Sequence, residues 1–226
     1  MKRVVISDLH LTNSFDQGLY DLLLEITKDY DEIIINGDFW DGYLISFDGF
    51  LRSKWSGLFP YLKEKAVYTY GNHDPEIWQD ERSMTFCKSV GDSYQVELPN
   101  KIRLRIQHGH RLHQYRGMTV EKHLLLRAIG IIPYILVNKY EKILSDMFGW
   151  EKFKYIWWED RASDNSKLKE VSQKLLGKDE ILVAGHIHLP IFTPEKGYIN
   201  TGAITHGLAS YLEVDGEDMR MIYKKY

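Results

Sequence analysis

Five times along this chain a short apolar run stops abruptly at a cluster of Asp, Asn and His. "VVI" ends in "SDLH" at residues 7–10, "EIIIN" runs into "GDFWD" at 37–41, and "AVYTY" runs into "GNHD" at 71–74. Further on, "IRLRI" is followed by "QHGH" at 107–110 and "EILVA" by "GHIH" at 185–188. Runs this short and this rich in β-branched residues are of strand length. The first three are separated by segments of helical pattern, from about Gln17 to Lys28 and near 49–64. Strands alternating with helices imply a largely parallel sheet in an α/β layered fold. In such a sheet the carboxyl ends of the strands share one rim, so the polar clusters should gather there.

The pattern changes after Ser83. "SYQVEL" and "IRLRIQHGH", split by Pro99 and Asn100, alternate in the manner of an antiparallel hairpin. Residues 115–160 are helical by pattern and rich in aromatic side chains, among them Tyr134, Phe148, Trp150 and Trp157, and read as a helical insertion. A further helix near 165–176 leads into "EILVAGHIH", and "GYINTGA", "ASYLEV" and "MRMIYKKY" read as closing strands. With no repeat of fixed period and no low-complexity linker, the 226 residues are expected to form a single domain, 1–226, carrying that insertion.

Charge narrows the partners. The formal net charge is −3, with 29 basic against 32 acidic residues and no long run of one sign, which speaks against a dedicated duplex-binding protein. The single cysteine, Cys87, cannot form an intramolecular disulfide, and "MKRVVISDLH" has no apolar signal core. The expected location is cytoplasmic. The longest nearly apolar stretch, "LLLRAIGIIPYILV" at 124–137, is broken by Arg127, Gly130 and Pro133. It falls short of the roughly 20 residues a membrane span needs.

All five clusters offer oxygen or imidazole donors. Asp8 with His10, and His186 with His188, are spaced by two, so if strand geometry persists each pair points to one face. A mixture of carboxylate, amide and imidazole donors suits divalent transition metals such as Mn, Fe, Zn or Ni rather than calcium. Any one cluster alone would more readily be a helix cap, a turn or a packed histidine.

In order and spacing, D-x-H, G-D-x-x-D, G-N-H-D, H-G-H and G-H-x-H resemble the motifs of the calcineurin-like metallophosphoesterase superfamily, from residue 8 to residue 188. The resemblance implies a layered α/β sandwich of mixed β-sheets flanked by helices. It implies a centre of two divalent ions, manganese first among them. Asp8, His10 and His188 would hold one ion, Asn72, His108 and His186 the other, and Asp38 both. Such a pair activates a water and clamps a phosphate oxygen. His73 would stay off the metals as general acid toward the leaving oxygen, oriented by Asp41 first and Asp74 second. No ligand role carries over to His110, and His113, His123 and His206 are assigned structural places.

"SDLHL", "GDFWD", "GNHD" and a helical insertion before "GHIH" are similar to the UDP-2,3-diacylglucosamine hydrolase-like phosphoesterases. That resemblance implies a small or lipid-linked phosphoester or pyrophosphate substrate. The aromatic insertion reads either as an extra helical layer or dimer contact, or as a lid for acyl chains that would also contact a membrane surface peripherally. A Mn-dependent nuclease or phosphodiesterase of the same superfamily is the alternative. A non-catalytic interaction module would be expected to have lost ligands or the acid histidine, and here all are present.

Overall fold

The computed structural model describes residues 1–112 and 158–226. The insertion expected at about 115–160 lies, up to residue 157, outside the described residues, as do His113 and His123.

Four parallel strands carry the first half: β1 (Lys2–Ile6), β2 (Glu32–Asn36), β3 (Ala66–Thr69) and β4 (Ser89–Gly91). Among the described residues they belong to a seven-stranded sheet. It is completed by β10 (Ile204–Thr205), β11 (Leu208–Asp215) and β12 (Asp218–Lys225), with β11 antiparallel to β1. A five-stranded sheet holds β5 (Tyr94–Glu97), β6 (Arg103–Ile106), β7 (Glu180–Ala184), β9 (Tyr198–Asn200) and β8 (Ile191–Thr193), in that order. The expected hairpin is β5–β6, in antiparallel register Tyr94↔Ile106, and β6–β7–β9 run parallel. Both sheets are therefore mixed.

Alternation along each strand explains the layering. Val5, Ile34, Leu212 and Val214 of the larger sheet meet Val96, Leu104, Ile181, Val183 and Ile199 of the smaller in one core. The other face of the larger sheet, with Val4, Ile33, Ile35 and Tyr68, is covered by α1 (Gln17–Asp29), α2 (Phe47–Leu51) and α3 (Phe59–Leu62). Asp16 caps α1 by accepting from Leu19 N–H at 3.1 Å, and Leu19, Leu22, Leu23 and Ile26 form its buried stripe. Leu182, Ala184 and Tyr198 on the outer face of the smaller sheet pack with Leu168 of α4 (Trp158–Leu175). The order is helix, sheet, sheet, helix.

The single helix expected near 49–64 is instead α2, a 3₁₀ turn at Lys54–Leu58, and α3. Ser53 takes an extended backbone and its hydroxyl donates to Phe50 O at 2.6 Å, ending α2. Pro60, lacking an N–H, fits only the first turn of the next helix. None of the described helices is long and apolar enough to cross a membrane.

Candidate metal centre

The strand-end clusters do converge on one rim, but not by strand geometry. β1 ends at Ile6 and β7 at Ala184, before either the Asp8–His10 or the His186–His188 pair begins. Asp8, His10, Asp38, His186 and His188 all have left-handed backbone, with φ of 56, 49, 52, 68 and 58°. The expectation that each pair shares a strand face is thus corrected: Asp8 and His10 meet the "GHIH" segment because both loops coil. Asp and His tolerate this conformation better than β-branched residues do, yet it persists only where surrounding bonds over-determine it.

Those bonds are visible. Asp8 N–H donates to Gly37 O at 3.1 Å and His10 N–H to Asp38 O at 2.9 Å, so the loops after β1 and β2 run side by side. Asp38 Oδ1 accepts from His73 N–H at 2.8 Å, and both Asp8 oxygens accept from His186 N–H, at 3.0 and 3.1 Å. A Cβ on Gly71 would collide with the Asp38 carboxylate and one on Gly185 with that of Asp8. The glycines opening "GNHD" and "GHIH" are there for this close approach.

Around the two carboxylates, donor atoms of Asp8, His10, Asp38 and His188 all lie within 4.8 Å of one another. His188 Nε2 is 3.1 Å from both Asp8 Oδ1 and His10 Nε2. On the other side His108 Nε2 is 3.2 Å from both Asp38 Oδ2 and Asn72 Oδ1. Its Nδ1 donates to Asn36 O at 2.8 Å, which turns Nε2 toward the cluster. His186 meets this group edge-on, its ring centre 5.3 Å from that of His108.

His73 Nδ1 lies 3.1 Å from Asp41 Oδ1, and its ring centre is 4.4 Å from those of His10 and Tyr43. Asp74, weighed as the second partner of His73, faces elsewhere. Its carboxylate accepts from the N–H groups of Asp38, Phe39 and Gly71 at 3.0, 2.6 and 2.7 Å, tying the "GDFWD" and "GNHD" loops together. Tyr43 went unnoticed in the sequence; its hydroxyl donates to Asn72 O at 3.0 Å, and only its place two residues beyond Asp41 could have flagged it. His110 sits beside the group, its ring centre 5.5 Å from that of His108.

Electrostatics follow from burial. Burial alone would raise the Asp8 carboxyl, but His188 and His108 outweigh it and hold it down at about 2. Asp38 and Asp41 are likewise depressed, against burial, by His108 and His73 respectively. Burial pushes the His108 imidazolium down, yet Asp38 and Asp8 hold it up at about 10, while Asp38 and Asp41 raise His73 to about 9. Burial and then the positive His108 push His186 down to about 3 and His110 to about 4. Two fully buried carboxylates require positive charge beside them. Imidazoles beside them can supply it as imidazolium, and a divalent cation can take that place because these donors are oxygen and nitrogen at ligand spacing. The residues present fit a metal.

The profile of calcineurin-like phosphoesterases matches residues 1–215. The chain belongs to that family. It is accordingly a metal-dependent phosphoesterase, and the carboxyl rim carries the Asp and His groups that can bind its metal. Similar solved structures include the E. coli phosphoesterase Yfce, at 19% identity and a TM-score of 0.48, covering 97% of this chain and 91% of that one. A metallophosphoesterase from Sphaerobacter thermophilus is similar at 15% identity and 0.48, covering 100% and 88%. A predicted phosphoesterase from Streptococcus pneumoniae is similar at 16% and 0.44, covering 99% and 88%. No curated protein matches the chain.

Proposed function

We propose that this phosphoesterase binds two divalent ions at the carboxyl rim, cleaves a phosphoester or pyrophosphate bond with an activated water, and protonates the leaving oxygen from His73. Asp8, His10 and His188 would hold one ion and Asn72, His108 and His186 the other. The observation carrying the reading is the place of Asp38, whose Oδ2 lies 3.8 Å from His10 Nε2 and 3.2 Å from His108 Nε2, between the two groups. When bound, the ions supply the activated water and positive charge for the phosphate oxygens.

The chain's own part is positioning and proton delivery. Asp41, almost fully buried, fixes the Nδ1 edge of His73, leaving Nε2 to meet the leaving oxygen from a ring that is 24% exposed. Tyr43 packs on that ring and anchors the Asn72 carbonyl beside it. Delivery of a proton to a poor leaving group is worth about 10²–10⁴-fold. A second reading has its own support, since donor atoms of His10, Asp41 and His73 also lie within 4.8 Å of one another and could hold an ion. His73→Ala separates the two. The acid role expects bound metal to persist while turnover of a poor leaving group collapses, whereas loss of metal would make His73 a ligand.

For substrate we propose a lipid-linked pyrophosphate of the UDP-2,3-diacylglucosamine type, hydrolysed with Mn²⁺ at the cytoplasmic face of a membrane. Motif order and the aromatic segment before "GHIH" support this. The test is turnover of the chelated, Mn²⁺-reloaded protein on that nucleotide, a chromogenic phosphodiester, a phosphomonoester and single-stranded DNA. Preference for the acylated nucleotide supports the substrate. Preference for the small diester overturns it and leaves the metal chemistry intact, and salt-sensitive degradation of DNA would point to the nuclease alternative.

A further inference from the structure

The segment from Gly185 to Leu189 carries His186 and His188 in left-handed backbone, and a single chain of buried polar groups grips both of its ends. Asn200 Nδ2 donates to Gly185 O at 2.7 Å and to the Tyr198 hydroxyl oxygen at 3.3 Å. Tyr198 in turn donates its hydroxyl proton to Asn165 Oδ1 at 2.7 Å, and Asn165 Nδ2 donates to Leu189 O at 3.1 Å. The remaining acceptor, Asn200 Oδ1, takes Gly202 N–H at 2.9 Å. Asn165, Tyr198 and Asn200 are all fully buried, and burial holds the Tyr198 phenol well above its ordinary range, so it remains a donor.

Asn165 stands where a helix would ordinarily place an apolar residue. It lies on the face of α4 that carries Leu168 against the smaller sheet, with Ser172 buried further along. A leucine there would pack on the same sheet without polar atoms to satisfy, and a buried amide repays its desolvation only through its bonds. Both bonds of this amide serve the "GHIH" segment, one directly at Leu189 and one through Tyr198 and Asn200 at Gly185. At the other side of the same turn Ile187 N–H donates to Gly185 O at 2.8 Å, closing it tightly.

We infer that Asn165, Tyr198 and Asn200 are positioning residues: a clamp running from α4 through β9 that holds the turn at Gly185–Leu189 coiled, so that His188 is aimed at Asp8 and His186 lies beside His108. The effect on the turn stands on the hydrogen bonds alone; the effect on metal binding rests on the ligand set proposed above. Loss of such supporting bonds costs metal affinity about 10–100-fold.

The experiment uses the full chain with metal removed, in three variants: Asn165→Leu, Tyr198→Phe, and Val96→Ala in the core between the sheets as a control for general loss of stability. Hydrogen exchange of the amides from Gly185 to Leu189 is measured first, then Mn²⁺ affinity by calorimetry. Asn165→Leu should accelerate exchange there about 10-fold and Tyr198→Phe, which keeps the ring, about 3-fold. Mn²⁺ binding should weaken in the same order, while Val96→Ala lowers the melting temperature without changing either readout. Exchange no faster than in the control overturns the clamp. A loosened turn with Mn²⁺ affinity intact overturns its positioning role. His188→Ala, measured alongside, tells that failure from a failure of the ligand assignment, since only the latter leaves this variant's affinity intact too.

Discussion

The two ends of the larger sheet solve the same problem with different chemistry. At the carboxyl rim, Asp8, Asp38 and Asp41 are buried against imidazoles. At the opposite end of the sheet, Glu32 on β2 and Glu213 on β11, which runs antiparallel to β1, are also buried, but their partners are strong bases. Arg3 Nε and Lys88 Nζ donate to Glu32 at 2.9 and 2.8 Å, and Lys2 Nζ lies 3.1 Å from Glu213, which also accepts from the Tyr30 hydroxyl at 2.7 Å. Lysine and arginine keep their protons at any ordinary pH, so that end is locked. Imidazole surrenders its proton to a cation, so the carboxyl rim is exchangeable. Backbone strain divides the same way. Five of the seven non-glycine residues with positive φ among those described, Asp8, His10, Asp38, His186 and His188, stand at the carboxyl rim. None of Lys2, Arg3, Glu32, Lys88 or Glu213 has one.

If that contrast holds, substitutions at the rim should cost activity and those at the opposite end stability. The largest effect is expected from Asp38→Asn, which keeps an acceptor for His73 N–H but removes the charge between the two ligand groups. Turnover should fall by about 10³-fold or more with loss of bound metal, while the melting temperature of the metal-free protein changes little because the facing imidazoles can release their protons. A collapse in melting temperature of the metal-free variant would mean that the carboxylate holds the fold, and the contrast would break. Asp41→Asn comes next. It leaves His73 in place with a weaker partner, and turnover of a poor leaving group should drop about 10–100-fold, with metal content unchanged by elemental analysis.

Glu213→Gln tests the other end. It removes the charge facing Lys2 and the Arg220 guanidinium, which donates to Glu213 Oε1, and should cost about 2 kcal/mol, or roughly 4–8 °C in melting temperature for a chain of this size. Turnover per folded molecule should not move. Activity lost in proportion to metal content would show that the two ends are coupled through β1.

What could be read from the residues divides along similar lines. β2 emerged as "EIIIN" because a strand buried on both faces is apolar throughout, and α1 because its 3.6-residue stripe starts behind a capping Asp16. The convergence of the "SDLH", "GDFWD", "GNHD" and "GHIH" segments followed from parallel strands sharing a rim. The coil that aims each side chain did not. Left-handed backbone at Asp8 or His188 is imposed by partners roughly 180 residues away in sequence, as in the bond from His186 N–H to Asp8, and no local signal marks it. Asn165 was invisible for the same reason. A polar residue within a mostly polar helix announces nothing until the sheet beneath it is known.

The smallest expected effect is in the acid limb of stability. Burial pushes the Glu32 carboxyl up, but hydrogen bonds from Lys88 and Arg3 outweigh it and leave it below its ordinary value of 4.5 in the folded chain. In the unfolded chain it returns toward that ordinary value. Near and below it the unfolded state therefore binds more protons, and stability must rise with pH there. The contribution of Glu32 is complete above about 4.5 and is lost as pH falls through the depressed folded value. Glu32→Gln removes that contribution at every pH. The variant should therefore be less stable than the parent at pH 7, by on the order of 1 kcal/mol because Lys88 is partly solvated, and the gap should close as both are acidified. Urea midpoints at pH 7, 5.5, 4.5 and 3.5 would show it. Parallel curves would mean that packing around Glu32, rather than its charge, secures the end opposite the carboxyl rim, and the opposition between a locked and an exchangeable rim would then rest on Glu213 alone.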